Sequence, residues 1–297
     1  MPPALCLLHT NCQGDALRPL LENTPAFARL FRIRQYVNYT REEIGRVDLR
    51  QCALFLYQWL APKWGALSTE QLLPRLPPAC RTLTVPNLFF KGYWPTWTRE
   101  APIDFGDSLL ESLLAQGLTP TEALALYLRG APPLLGDRAA LEAAAEASLA
   151  REEAKEAAAS IRCAPLIRER WREEQLFVTI NHPGRELMCH VADSLLRLLG
   201  LGGLPPSVRR AYVSPLEDFW LPVHPAVGER LGLPFARRDR RYPIYGQALT
   251  HREYTACYLA CRSEKAADFL AFLRHLSPQG LAALRAGRLP GAWSVPM

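Results

Sequence analysis

Four short segments concentrate groups able to do thiol or acid–base chemistry: Asn11-Cys12-Gln13-Gly14, Tyr57-Gln58-Trp59, Pro86-Asn87 and Asn181-His182. A cysteine between a strand and a helix meets unpaired N–H groups and the positive end of the helix dipole, which favours a thiolate at Cys12. The same N–H groups, at Gln13 and Gly14, could bind a developing oxyanion, with Gln58 as a further donor. Gly14 would let a substrate approach the backbone closely. His182 could deprotonate a thiol or a hydroxyl, since an unperturbed imidazole titrates near ~6.5. Plainer roles stand beside these: Cys12 as a small buried hydrophobe, Asn11 as a turn residue, His182 as a helix cap. His9 is a second possible base, and His190 reads as a packing or surface residue.

Two further segments could hold a ligand. The aromatic run Pro86 to Pro95 could stack a sugar or an adenine, with Lys91 reaching a phosphate and Tyr93 beside it, or its rings could simply pack it onto the core. Arg237, Arg238, Arg240 and Arg241 form the densest positive run, either a solvated face or a cradle for nucleotide phosphates.

The elements that must position these groups follow from the hydrophobic pattern. Ala4–Leu8, Phe31–Tyr39, Cys52–Tyr57 and Arg81–Val85 read as strands alternating with helices, which implies crossovers and a mostly parallel sheet. A fifth strand is expected at Leu176–Ile180, after a helical insertion over about 105–170 that contains Asp107–Gln116, Thr119–Leu128 and a long helix from Asp137 through Ser160. The expected organisation is an α/β core over 1–204 with that insertion, and a mixed region over 205–297 packed on the core and ending in a helix at Glu264–Leu276. In an open parallel sheet a ligand sits beyond the carboxyl ends of the strands, near the reversal in strand order. That rule gathers Asn11, Cys12, Gln13, Gly14, Gln58, Trp59, Asn87, Asn181 and His182.

Composition excludes other classes. Of the 35 basic residues only four are lysine, and the net charge is +6, too mild for a nucleic-acid binder. Apolar stretches are broken by Arg197, Gly202-Gly203 and Pro205-Pro206, well short of the ~20 residues a membrane span needs. The first residues lack a basic leader, and the 8 cysteines form no CxxC pair or metal-ligand pattern, so a reduced cytoplasmic protein without a metal is expected. Walker, dinucleotide-fingerprint and GxSxG motifs do not occur.

Three motifs together carry a resemblance: His9-Thr10-Asn11-Cys12-Gln13-Gly14, Val85-Pro86-Asn87-Leu88-Phe89-Phe90-Lys91-Gly92-Tyr93-Trp94-Pro95 and Thr179-Ile180-Asn181-His182-Pro183-Gly184. Over roughly residues 4–200 the chain resembles the WcbI family of bacterial capsular-polysaccharide biosynthesis proteins. The resemblance implies coenzyme A binding and acetyl transfer from acetyl-CoA onto a sugar. The arrangement is also similar to flavodoxin-like SGNH esterases, with Cys12 where those have serine and Thr179 where their Asp-x-x-His pattern has the carboxylate. The resulting expectation is a flavodoxin/SGNH-like parallel sheet flanked by helices, carrying an acyl-CoA-dependent O-acyltransferase. Its catalytic residues would be Cys12, His182, Gln13, Gly14 and Gln58, with Asn11, Lys91, Tyr93 and the four arginines on the cofactor, and Asn87, Trp59 and Asn181 on the sugar. Its partners would be a small acyl donor and a sugar acceptor. An esterase on the same scaffold, or a non-catalytic nucleotide- or glycan-binding component, are the alternatives.

Overall fold

In the computed structural model, which describes residues 2–157, 159–266 and 268–287, the chain divides into two compact units. The first comprises residues 1–89, 149–170 and 176–217, and the second residues 90–148, 171–175 and 218–297. Residues 105–148 of the expected insertion thus cluster with the C-terminal segment.

The first unit is built on a four-stranded parallel sheet. Its strands are β1 (Ala4–Thr10), β2 (Phe31–Val37), β3 (Cys52–Tyr57) and β4 (Arg81–Thr84), in the order β2-β1-β3-β4. The two central strands, β1 and β3, are almost wholly apolar because helices cover both faces. The edge strand β2 alternates instead, exposing Arg32 and Arg34 between partly covered Phe31, Ile33 and Gln35. Leu5, Leu7, Tyr36, Leu49, Phe55 and Leu72 pack on one side of the sheet. Helix α1 (Gln13–Glu22) buries Ala16, Leu17, Leu20 and Leu21, and packs against the Arg185–Leu198 helix, whose buried stripe includes Leu187, Val191 and Leu195.

The expected fifth strand is a correction. Phe177–Thr179 is extended but, among the described residues, forms its ladder with His182–Pro183, as a short antiparallel ribbon with Thr179 opposite His182. A run that turns back on itself after Ile180-Asn181 uses its ladder bonds on its own return strand.

In the second unit, Asp107 caps the Ser108–Ala115 helix by accepting from the N–H groups of Leu109 and Leu110. Thr119 and Glu122 form a capping box on Pro120–Arg129, which ends at Gly130 in the left-handed conformation. The long helix runs Arg138–Glu156, stopping short of Ser160; its residues up to 148 belong to this unit and those from 149 to the first. The C-terminal helix expected at Glu264–Leu276 is replaced by His251–Ser263, opened by a Thr250/Glu253 capping box, and by Phe269–Arg274. No helix among the described residues is long and apolar enough to cross a membrane.

Candidate active site

The strand order reverses around β1: the chain leaves it for β2 on one side and returns to β3 on the other. The crevice beyond the carboxyl ends of β1 and β3 is therefore the natural ligand position. Asn11 and Cys12 emerge there from β1, and Gln58 and Trp59 from β3.

Two glutamines tie these exits together. Gln13 is buried, and its Nε2 donates to the carbonyls of Leu88 and Asn181, both at 2.8 Å. Its Oε1 accepts from the Leu88 N–H at 3.1 Å and from Gln58 Nε2 at 3.2 Å. Gln58, equally buried, also donates to the Pro86 carbonyl at 3.2 Å and accepts the Asn11 N–H at 2.8 Å. The four segments picked out by residue type thus converge on one amide network, and each buried amide atom has a partner, as burial demands.

That network overturns the oxyanion assignments made for Gln13, Gly14 and Gln58. The amide hydrogens of both glutamine side chains already point at carbonyl or amide oxygens. The Gln13 backbone N–H donates to Asn11 Oδ1 at 2.9 Å, and the Gly14 N–H to the Asn11 carbonyl at 3.0 Å. Gly14 has a different reason to be glycine: a Cβ there would run into the Thr10 hydroxyl and crowd the Gln35 amide. These residues position the site.

Cys12 is half-buried at the N-cap of α1, with helical φ −53° and ψ −18°. Burial pushes its thiol up to about 11, Asp15 in the first turn adds to the rise, and the N–H groups of Cys12 and Gln13 oppose it. The expected resting thiolate is therefore not favoured, because desolvation outweighs the helix end. Asp15 also accepts from Gln35 Nε2 at 2.7 Å, which fixes the carboxylate in that position.

His182 is half-buried at the start of the return strand, opposite Thr179. The Thr179 hydroxyl donates to Asn181 Oδ1 at 3.2 Å, and the Asn181 carbonyl is the one that Gln13 binds. His9 is removed from contention as a base: it lies inside β1, 1% exposed, stacked on Phe55, with its pKa lowered to about 4 by burial.

Around this centre Asn11 Nδ2 donates to Asn87 Oδ1 at 3.2 Å. Trp59 stands 62% exposed directly after Gln58. Sequence reasoning passed over the exit of β2, although the same strand-end rule applied to it. It delivers Asn38, which is buried and donates to Gln58 Oε1 at 3.4 Å, and Tyr39, which is 58% exposed. The Tyr39 hydroxyl is raised first by burial and then by the neighbouring Cys12 and Asp15. Also missed was a pair on the Arg138–Glu156 helix. Lys155 binds the Asn87 carbonyl and the carboxylate of Glu152, each at 2.5 Å, and Glu152 is buried with its pKa raised to about 7, chiefly by desolvation. Their only sequence signal was a second acid four residues on from Glu152, at Glu156, in a stretch otherwise rich in alanine.

The other expected cofactor contacts belong to the second unit. Tyr93 is fully buried and donates to the carbonyls of Trp171 and Glu174, with Phe90 and Trp94 packed edge-on against it, so it is a core residue and its assignment to the cofactor is corrected. Lys91 Nζ lies 6.0 Å from the Trp97 ring centre. Arg240 is packed over Tyr242, Trp220 and Phe235 and donates to the Phe235 carbonyl at 2.7 Å. Arg241 bonds the Ala248 carbonyl at 3.0 Å and reaches Glu253 at 3.4 Å. Both guanidiniums serve the local fold, whereas Arg237 and Arg238 are exposed. Among the described residues no cluster could hold a metal ion.

The segments that carry this thiol, imidazole and amide network all lie within one family match. Residues 5–204 match the model of WcbI, a polysaccharide biosynthesis enzyme. The chain belongs to the WcbI family. The match runs from the second residue of β1 past the Arg185–Leu198 helix and so contains Cys12, Gln58, Asn87 and His182. A solved structure of WcbI is described as the native protein without a disulfide bond between coenzyme A and one of its cysteines. It has a TM-score of 0.70 and 20% identity to this chain, covering 95% of this chain and 98% of that one. At that identity the likeness is one of fold, and it extends over both units. No curated protein matches the chain significantly.

Proposed function

We propose that this WcbI-family enzyme is an acyl-CoA-dependent O-acyltransferase that moves an acyl group, in the simplest case acetyl, onto a hydroxyl of a sugar in a polysaccharide precursor. The observation that carries the reading is the Gln13–Asn181 hydrogen bond, which draws the residue after Cys12 and the residue before His182 to within 2.8 Å. The solved WcbI structure, whose description pairs coenzyme A with a cysteine, supports a thiol-bearing donor at such a site.

His182 takes the proton from the acceptor hydroxyl as it attacks the thioester carbonyl, and returns it to the leaving thiolate. Four N–H groups at the start of a helix lack an intrahelical acceptor. At α1 those of Gln13, Gly14 and Asp15 are engaged by Asn11 and Cys12, so the oxyanion donor we assign is the Cys12 N–H, which at rest lies against its own thiol. A Cys12 thiol held near 11 keeps its proton at neutral pH, which favours direct transfer with Cys12 bordering the donor's sulfur over a covalent acyl-Cys12 intermediate. Trp59 and Tyr39 offer exposed rings for stacking an adenine or a sugar face.

Thermal melting with coenzyme A and acetyl-CoA tests the binding step. Ligand that binds only the folded state raises the melting temperature with concentration. A melting temperature indifferent to millimolar coenzyme A contradicts the reading, and release of free acid without any sugar ester points to the esterase alternative.

A further inference from the structure

At the end of the sheet away from the candidate site, two thiols face each other. Cys52 opens β3 and Cys80 immediately precedes β4, which pairs with β3 in parallel register from Leu54–Arg81 onward. Although 28 positions apart in sequence, their sulfurs lie 3.5 Å from each other, and both cysteines are free. The Cys52 thiol also leans toward the Leu54 carbonyl at 3.2 Å. Cys6 of β1 is close enough for its thiol to be raised by both, but it is fully buried, as Cys52 nearly is, whereas Cys80 is partly exposed.

We propose that Cys52 and Cys80 are an oxidative modification site: a dithiol that closes into a disulfide joining the amino ends of β3 and β4. An S–S bond is ~2.05 Å, so the sulfurs must close by roughly 1.5 Å, a distance that side-chain rotation supplies where two strand starts already sit side by side. The exposure difference sets the order of events. The Cys80 thiolate attacks a small disulfide such as oxidised glutathione, forming a mixed disulfide and releasing one glutathione thiol. The Cys52 sulfur then attacks Cys80 Sγ, expelling the second glutathione. The two thiol protons end on the two glutathione molecules, and the two electrons reduce the oxidant. Burial raises both protein thiols, with Cys52 pushed up to about 12, so closure is slow at neutral pH and quickens as pH rises. The site lies at the opposite sheet end from Cys12 and does not depend on the proposed transferase reading.

The test is peptide mapping without reduction, after the full-length reduced protein is incubated with oxidised glutathione and quenched by alkylation. The expected result is one cross-linked species joining the Cys52 and Cys80 peptides with the loss of two hydrogens. In a Cys52→Ser protein, Cys80 should instead persist as a stable glutathione adduct. Wild-type protein in which Cys80 keeps its glutathione, in which both thiols are recovered alkylated, or in which Cys80 is joined to Cys6 overturns the proposal. The wild-type experiment decides even where the variant fails to fold.

Discussion

Gln13 and Asn181 lie 168 positions apart in sequence and 2.8 Å apart in space, joined by a side-chain amide donating to a main-chain carbonyl. Gln13 follows the cysteine at the end of β1, and Asn181 precedes the histidine that returns along the Phe177–Thr179 segment. The bond turns two separate motifs into one site, and the same Gln13 side chain holds the loop after β4 through Leu88.

Removing that side chain should cost both stability and activity. Gln13→Leu leaves the Leu88 N–H, the Leu88 and Asn181 carbonyls and the Gln58 amide without their partner in a buried setting. Buried unsatisfied groups cost ~1–3 kcal/mol each, and with partial relaxation we expect about 2–4 kcal/mol in a urea titration. A loss below about 1 kcal/mol would show that the network is incidental.

Gly14→Ala should be destabilising for a steric reason, by about 1–3 kcal/mol, because the new methyl meets the Thr10 side chain. Adding Thr10→Ala should recover part of the loss. Measured additivity of the two substitutions would rule out the contact as the cause.

The reactivity of Cys12 should follow its raised thiol. Its alkylation by iodoacetamide should climb with pH through about 11 instead of levelling off above an ordinary thiol pKa. Because Asp15 contributes to the rise, Asp15→Asn should lower that midpoint and speed labelling at pH 8 several-fold. Labelling already at its plateau at pH 8 in the wild-type protein would contradict the burial argument.

Acid should destabilise the fold through its buried histidines. His9 in the first unit and His224 in the second are each lowered from 6.5 to about 4, chiefly by burial. Between those values the unfolded chain binds the proton and the folded chain does not. Their contribution is therefore complete above pH 6.5, falls as pH drops toward 4, and changes no further below that. Each amounts to about 3 kcal/mol at most. Denaturant titrations from pH 7.5 to 4 should show this loss, and His9→Leu should flatten its share. An unchanged slope in that variant would place the proton uptake elsewhere.

Much of this site was legible before any coordinates. β1 and β3 announce themselves as apolar runs buried on both faces, and polar residues at their exits, Asn11, Cys12 and Gln58, mark the ligand end. What one-dimensional pattern could not carry was partnership. Leu176–Ile180 has strand composition, but whether such a run joins the sheet or folds back on His182–Pro183 depends on which edge is within reach. The roles of Gln13 and Gln58 were misjudged because residue type gives donors without saying which carbonyls already receive them. Tyr93 illustrates the same limit, since an aromatic loop reads alike whether its rings face a ligand or Trp171. Glu152 and Lys155 were invisible because a helix rich in alanine and glutamate looks solvated until one of its faces is covered.

The most direct measurement is affinity labelling with bromoacetyl-CoA, an acetyl-CoA analogue whose electrophilic carbon replaces the acyl methyl. A single adduct on Cys12 is expected, formed far faster than with free bromoacetamide and suppressed by excess coenzyme A, because binding must present the carbon to a thiol that is otherwise sluggish. An adduct on another cysteine, or labelling of Cys12 that coenzyme A does not protect, would contradict it.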